Sequence, residues 1–178
     1  GTQPESPVAR SWGMSTSDIR APIACFITFR TYGTWLHGDE RESVDRAHNV
    51  YGTARLPLNP PRLSFEERML VQPPVFLGPA RRAAANEAVR ETCAIRKWPL
   101  FALNVRTNHL HIVAATDIPA RRAMVAFKAN ATRAMRESGC WTLDRSPWAR
   151  GGSAKLIWSL AALERTIHYV VSRQGVDL

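Results

Sequence analysis

The sequence predicts an α+β fold, with a mainly antiparallel sheet and helices packed on one face. Three observations predict it. Short β-branched and aromatic runs alternate with longer Ala- and Arg-rich segments, in the order strand, helix, strand-strand, helix, strand, helix. The middle strands are separated only by Thr107-Asn108, a hairpin spacing. No internal repeat or low-complexity tract suggests a solenoid or a linker-joined array. With 178 residues, 45% of them hydrophobic and 22% charged, the chain can bury a core without disulfides or structural metal.

Ile23-Ala24-Cys25-Phe26-Ile27-Thr28-Phe29-Arg30 reads as the first strand. Residues 31–45 follow as an ordered loop headed by Tyr32-Gly33-Thr34-Trp35-Leu36-His37-Gly38, and 46–61 as a long irregular connection ending at Asn59-Pro60-Pro61. Ser64 can N-cap a short helix with Glu66 and Glu67 in its first turn, stopped by Pro73-Pro74. Pro79 then suits the first turn of a helix over 80–97, whose face Ala84, Ala88, Thr92 or Cys93, and Ile95 is small enough to lie close on a sheet. Pro99 to Arg106 and His109 to Ala115 form the hairpin strands. Asp117 or Ile118-Pro119 opens a helix over 120–137, stopped at Ser138-Gly139. Lys155-Leu156-Ile157-Trp158 is a short fourth strand, and Ser159 N-caps a last helix over 160–174 with Gly175 beyond it. Residues 1–20 read as a disordered leader or expression remnant before a single domain over 21–178.

Lys and Arg outnumber Asp and Glu by 24 to 15, a net charge of +9, which favours an anionic partner and nucleic acid first. Cys25, Cys93 and Cys140 are far apart and form no Cys-x-x-Cys, so they read as buried thiols of a reducing, cytoplasmic protein. No apolar run reaches the roughly 20 residues of a membrane span, so no membrane partner is expected.

The chemistry centres on Asn108-His109-Leu110-His111-Ile112-Val113. Two histidines two apart on a strand point to one face, roughly 6.6 Å apart at Cα, and both rings can converge on one divalent ion. A catalytic metal site needs at least one more donor and an open position. The last helix offers Tyr169 and Gln174; a phenol beside a metal-held phosphate is a candidate nucleophile. A structural zinc site is disfavoured because no cysteine lies at ligand spacing, and a histidine-triad hydrolase would need a histidine where Val113 stands.

His109-Leu110-His111 resembles the His-hydrophobic-His motif of the HUH nucleases. The chain resembles their single-tyrosine, insertion-sequence-200-like transposase branch, most closely the REP-associated tyrosine transposases. The resemblance is carried by residues 26–38, 108–113, 127–133 (Phe127-Lys128-Ala129-Asn130-Ala131-Thr132-Arg133) and 167–175 (Ile167-His168-Tyr169 through Gln174-Gly175). It implies a ferredoxin-like sheet with the histidine motif on a central strand and the tyrosine on a C-terminal helix. It further implies metal-dependent nicking and strand transfer on single-stranded DNA beside a hairpin. Tyr169 would form a 5′-phosphotyrosine link, and Mg²⁺ or Mn²⁺ would be held by His109, His111 and Gln174. Gln174 follows Tyr169 by five residues, not the four common in related transposases, which is about 140° beyond a full turn on an ideal helix. His168 or a water is therefore an alternative third ligand.

Lys128 and Arg133 on the basic helix, with Arg150 and Lys155 around Gly151-Gly152, are candidate phosphate contacts. Arg30, Tyr32 and Trp35 are candidates to stack on or bond an unpaired base. The protein would act as a monomer or a homodimer. The competing reading is a catalytically silent member of the same fold that binds hairpin DNA or RNA as a regulator.

Overall fold

Apolar strands and amphipathic helices appear in the predicted order: β1 (Ala24–Arg30), α1 (Pro79–Arg96), β2 (Leu100–Val105), β3 (His109–Ala114), α2 (Ala120–Glu137), β4 (Ser153–Ile157) and α3 (Leu160–Ser172). This computed structural model describes residues 21–34, 70 and 72–172. The expected leader, the connection over 46–61, the helix after Ser64, and Trp35 and Gln174 lie outside the described residues.

The strands form one sheet in the order β2-β3-β1-β4, every neighbouring pair antiparallel. β2 and β3 are joined by the expected hairpin at Thr107-Asn108, closed by the Arg106 amide donating to the His109 carbonyl at 2.8 Å. α1 carries the chain from β1 to β2 across β3, and α2 carries it from β3 to β4 across β1. Each long helix therefore links parallel strands with one antiparallel strand between them.

The period of two divides each strand between two cores. Cys25, Ile27 and Phe29 of β1 join Leu110, Ile112 and Ala114 of β3 beneath Ala85, Ala88, Val89 and Cys93 of α1 and Ala123, Phe127, Ala131 and Met135 of α2. The opposite residues, Ala24 and Phe26 of β1, Val113 of β3 and Ile157 of β4, pack with Leu163, Ile167 and Val170 of α3. The helices thus lie on both faces, which corrects the one-face expectation. Ala24 and Phe26 of β1 and Val113 of β3 make the far end of the second face apolar, and burial of apolar area at about 25 cal/mol per Å² draws the Leu163–Ile167–Val170 stripe onto it.

Two local expectations shift. The buried stripe of α1 is Ala85, Ala88, Val89, Thr92 and Cys93, at helical spacing, and Ile95 falls off it and is 72% exposed. β4 starts at Ser153 rather than Lys155, because Gly152 brings the chain against β1. A Cβ on Gly152 would lie 2.7 Å from the Thr28 carbonyl oxygen and 2.6 Å from Met124 Sδ, and its φ is +141°. Only glycine fits there. The preceding loop is tied to α2 by Trp148, whose indole N–H donates to the Lys128 carbonyl and to Thr132 Oγ1, each at 2.9 Å.

Candidate active site

The alternation of β3 sends Leu110 and Ile112 toward α1 and α2, and His109 and His111 toward the side of α3. β3 is an interior strand, so both histidines have neighbours on each side. Across β1, Thr28 stands opposite His111 and Arg30 opposite His109, while on β2 Asn104 stands opposite His111. The two imidazole centroids are 4.6 Å apart and inclined at 74°. His111 is 7% exposed, and its ring stacks on Phe26 at 5.4 Å and 28°.

Each ring has an oxygen partner at Nδ1. His109 Nδ1 lies 2.7 Å from Asn108 Oδ1, and His111 Nδ1 lies 2.8 Å from Thr28 Oγ1. A carboxamide oxygen accepts, so His109 donates from Nδ1 and its lone pair falls on Nε2. Thr28 can accept in the same way, with the same tautomeric result for His111. An oxygen partner at one ring nitrogen, orienting the other, is the arrangement found behind metal-bound histidines. The pair therefore fits two ligands of a divalent cation. Among the described residues no group of three His, Cys, Asp or Glu side chains is placed to hold a metal, so a third protein ligand would come from another residue type or from outside that set. Gln174 lies outside it, and His168 is exposed on α3.

The hairpin turn that carries Asn108 is held from two sides. Thr31, 1% exposed, donates from its amide at 2.9 Å and from Oγ1 at 3.1 Å to the Asn108 carbonyl. The Leu77 amide donates to the Thr107 carbonyl at 2.6 Å. Such fixing would keep the two rings convergent, as a pair of cation ligands has to be.

Tyr169 of α3 reaches the pair. Its ring centroid is 6.0 Å from that of His111 and 6.2 Å from that of Phe26, edge-on to both, and the residue is 43% exposed. The neighbouring Val170 is fully buried, and its carbonyl accepts a 3.0 Å bond from Asn104 Nδ2. The structure thus brings His109, His111 and Tyr169 together within one chain.

The candidate nucleic-acid residues separate into layers. Arg30 opposite His109, and Lys155 opposite Phe26, share the histidine face of the sheet. Arg133 lies exposed on α2, in the layer behind the sheet, with Glu137 3.8 Å away. Arg150 is exposed beside the Gly151-Gly152 turn. Lys128 departs most from its expected role as a solvated phosphate contact. Its ammonium donates to the Ala149 and Gly151 carbonyls and lies 5.4 Å from the Phe29 ring centroid, and burial lowers its pKa. It clamps the loop before β4 to α2. Tyr32 packs half-buried against the helix-side core, its amide bonded to the Pro147 carbonyl at 2.8 Å.

Cys25 and Cys93 are buried as expected, whereas Cys140 is half-buried, its Sγ 3.2 Å from Ser138 Oγ. No described helix is long and apolar enough to cross a membrane.

Sequence reasoning did not identify Thr28, Thr31 and Asn104 as parts of the site. Thr28 is the one hydroxyl in an otherwise apolar run, a mark of a buried polar contact, but its partner is far away in sequence. Asn108 was legible as a turn residue but not as the partner of His109. No protein-family model matches the chain, and no curated protein is significantly similar to it.

Proposed function

We propose that this chain is a metal-dependent enzyme that nicks and transfers single-stranded DNA at hairpin-containing sites, a transposase-type endonuclease of the single-tyrosine HUH kind. The observation that carries the reading is the Tyr169 ring edge-on to His111 at 6.0 Å, beside a histidine pair whose Nδ1 atoms both have oxygen partners. The strand order β2-β3-β1-β4, with each long helix crossing one strand, supports the ferredoxin-like assignment.

In this reading the Tyr169 phenol oxygen gives up its proton and attacks the scissile phosphorus, and the bond from phosphorus to the 3′ oxygen breaks. The 3′ oxygen leaves and takes up a proton, and the DNA 5′ phosphate stays on the tyrosine. Attack by a 3′-hydroxyl reverses these bond changes and rejoins strands, since the phosphotyrosine ester retains the phosphodiester energy. Mg²⁺ or Mn²⁺ held by His109 and His111, with Gln174, His168 or water completing the set, would polarise the phosphate and offset its developing charge. Half-exposure leaves Tyr169 accessible to a strand, and Arg30 and Lys155 place positive charge on the same face.

The test is a labelled single-stranded hairpin with flanking DNA, incubated with Mn²⁺. The parent protein is expected to form a covalent protein-DNA adduct, and Tyr169→Phe to lose it while still binding the hairpin. EDTA should abolish cleavage and weaken hairpin binding only slightly. Hairpin binding without any adduct from the parent protein would instead indicate a silent DNA- or RNA-binding regulator.

A further inference from the structure

One row of side chains crosses the sheet through the site: Ser153, Thr28, His111 and Asn104 occupy matching positions on β4, β1, β3 and β2. Its two inner neighbours of His111 have different partners. Thr28 Oγ1 meets the His111 ring at Nδ1, 2.8 Å away, whereas Asn104 Nδ2 passes over to α3 and donates to the Val170 carbonyl at 3.0 Å. Val170 directly follows Tyr169 on α3 (Leu160–Ser172), so the bond holds the helix one residue from the phenol.

We propose that Thr28 and Asn104 are separate positioning residues, Thr28 setting the His111 ring as a cation ligand and Asn104 setting the Tyr169 helix against that ring. The Val170 side chain fixes how deeply α3 sits, being fully buried between the sheet and the helix. Apolar contacts of this kind are non-directional and fix the face that α3 presents only coarsely. The Asn104 bond is directional, and it acts one residue from Tyr169. Rotation of that turn swings the phenol along the sheet, because the ring lies several ångströms from the helix axis. On the other side, Thr28 gives the His111 ring a directional bond at Nδ1, which its ring contacts do not supply. The two restraints converge on one histidine from opposite strands and should fail independently.

The role of Tyr169 rests on the nicking reading, and the cation-binding arm does not. Parent, Thr28→Val, Thr28→Ser and Asn104→Leu chains would be compared by Mn²⁺ titration with electron paramagnetic resonance, by single-turnover adduct formation, and by amide exchange across α3. Thr28→Val is expected to weaken Mn²⁺ binding about 10- to 100-fold, and Thr28→Ser, which keeps the hydroxyl, to restore it. Asn104→Leu should leave Mn²⁺ affinity unchanged, speed amide exchange in the last turn of α3, and slow adduct formation by about 100-fold. Parent-like Mn²⁺ affinity in Thr28→Val, or a parent chain that binds no Mn²⁺, overturns the Thr28 assignment. Parent-like exchange in Asn104→Leu overturns the Asn104 assignment, as does a parent-like adduct rate. A parent chain that binds Mn²⁺ but forms no adduct sinks the nicking reading, while the exchange and titration arms still judge both positions. Thr28→Ser guards against a Thr28→Val chain that merely misfolds.

Discussion

Replacing Gly152 by alanine should destabilise the protein far more than the same change at Gly151, and the comparison tests how β4 is seated against the site. Both glycines have positive φ, +72° at Gly151 and +141° at Gly152. At Gly151 an added Cβ meets nothing within 4 Å, so the cost is backbone strain alone, about 1–2 kcal/mol. At Gly152 the Cβ would lie 2.7 Å from the Thr28 carbonyl oxygen and 3.2 Å from Phe29 Cβ, atoms of an interior strand paired on both sides. Met124 Sδ, at 2.6 Å, can swing away, but β1 cannot. Overpacking of that kind adds about 1–3 kcal/mol to a similar strain, for a total of about 2–5 kcal/mol. For a domain of this size each kcal/mol lowers Tm by about 2–4 °C, so Gly152→Ala should fall by about 4–20 °C and Gly151→Ala by about 2–8 °C. Thermal unfolding followed by circular dichroism measures both. Because the clash falls on Thr28, Gly152→Ala should also weaken Mn²⁺ binding, and Gly151→Ala should not. Equal Tm losses in the two variants would refute the close approach and the seating of β4 derived from it.

Further outcomes follow from the charges and thiols. Lys155→Ala should lower the salt dependence of single-strand binding, the slope of log K against log salt, by about 0.7, the share of one released counterion. Arg133→Ala, behind the sheet, should leave that slope unchanged; the reverse pattern would put the strand on α2. Burial, and secondarily a charged Cys25, push the Cys93 thiol up to about 11. The folded chain then holds a proton that the unfolded chain releases, so this contribution to stability is intact below about 9 and lost as pH rises to about 11. Lys128, lowered by burial, acts in the opposite sense, so urea midpoints from pH 8 to 11 are read as parent minus Cys93→Ala. No difference in slope between the two chains would contradict the burial of Cys93.

What was legible beforehand is specific. β3 could be read because Leu110 and Ile112 alternate with His109 and His111, and α2 because Ile118-Pro119 opens it and Ser138-Gly139 stops it. The β1 run is equally informative. Ala24 and Phe26 on one side and Cys25 and Ile27 on the other make the first half of the strand apolar on both faces, the pattern of a strand covered twice. Read that way, it points to a helix on the histidine side, where the structure places α3. Lys128 was misread because a lysine on a basic helix looks like a surface charge. The carbonyls of Ala149 and Gly151 that hold it belong to a loop whose path local pattern does not give.

By itself, the sequence determined the type and order of the elements, the shared face of His109 and His111, and the amphipathic stripe of α3, because those depend on residues a few positions apart. Only the tertiary structure decided that α3 lies on the histidine face and brings Tyr169 to within 6.0 Å of His111. Only it decided that Thr28 rather than a carboxylate backs His111, and that Arg133 faces away. The physical reason is that an apolar stripe specifies burial without specifying the partner surface. That choice is made when strands distant in the chain pair in register, and pairing sets which side chains stand opposite one another.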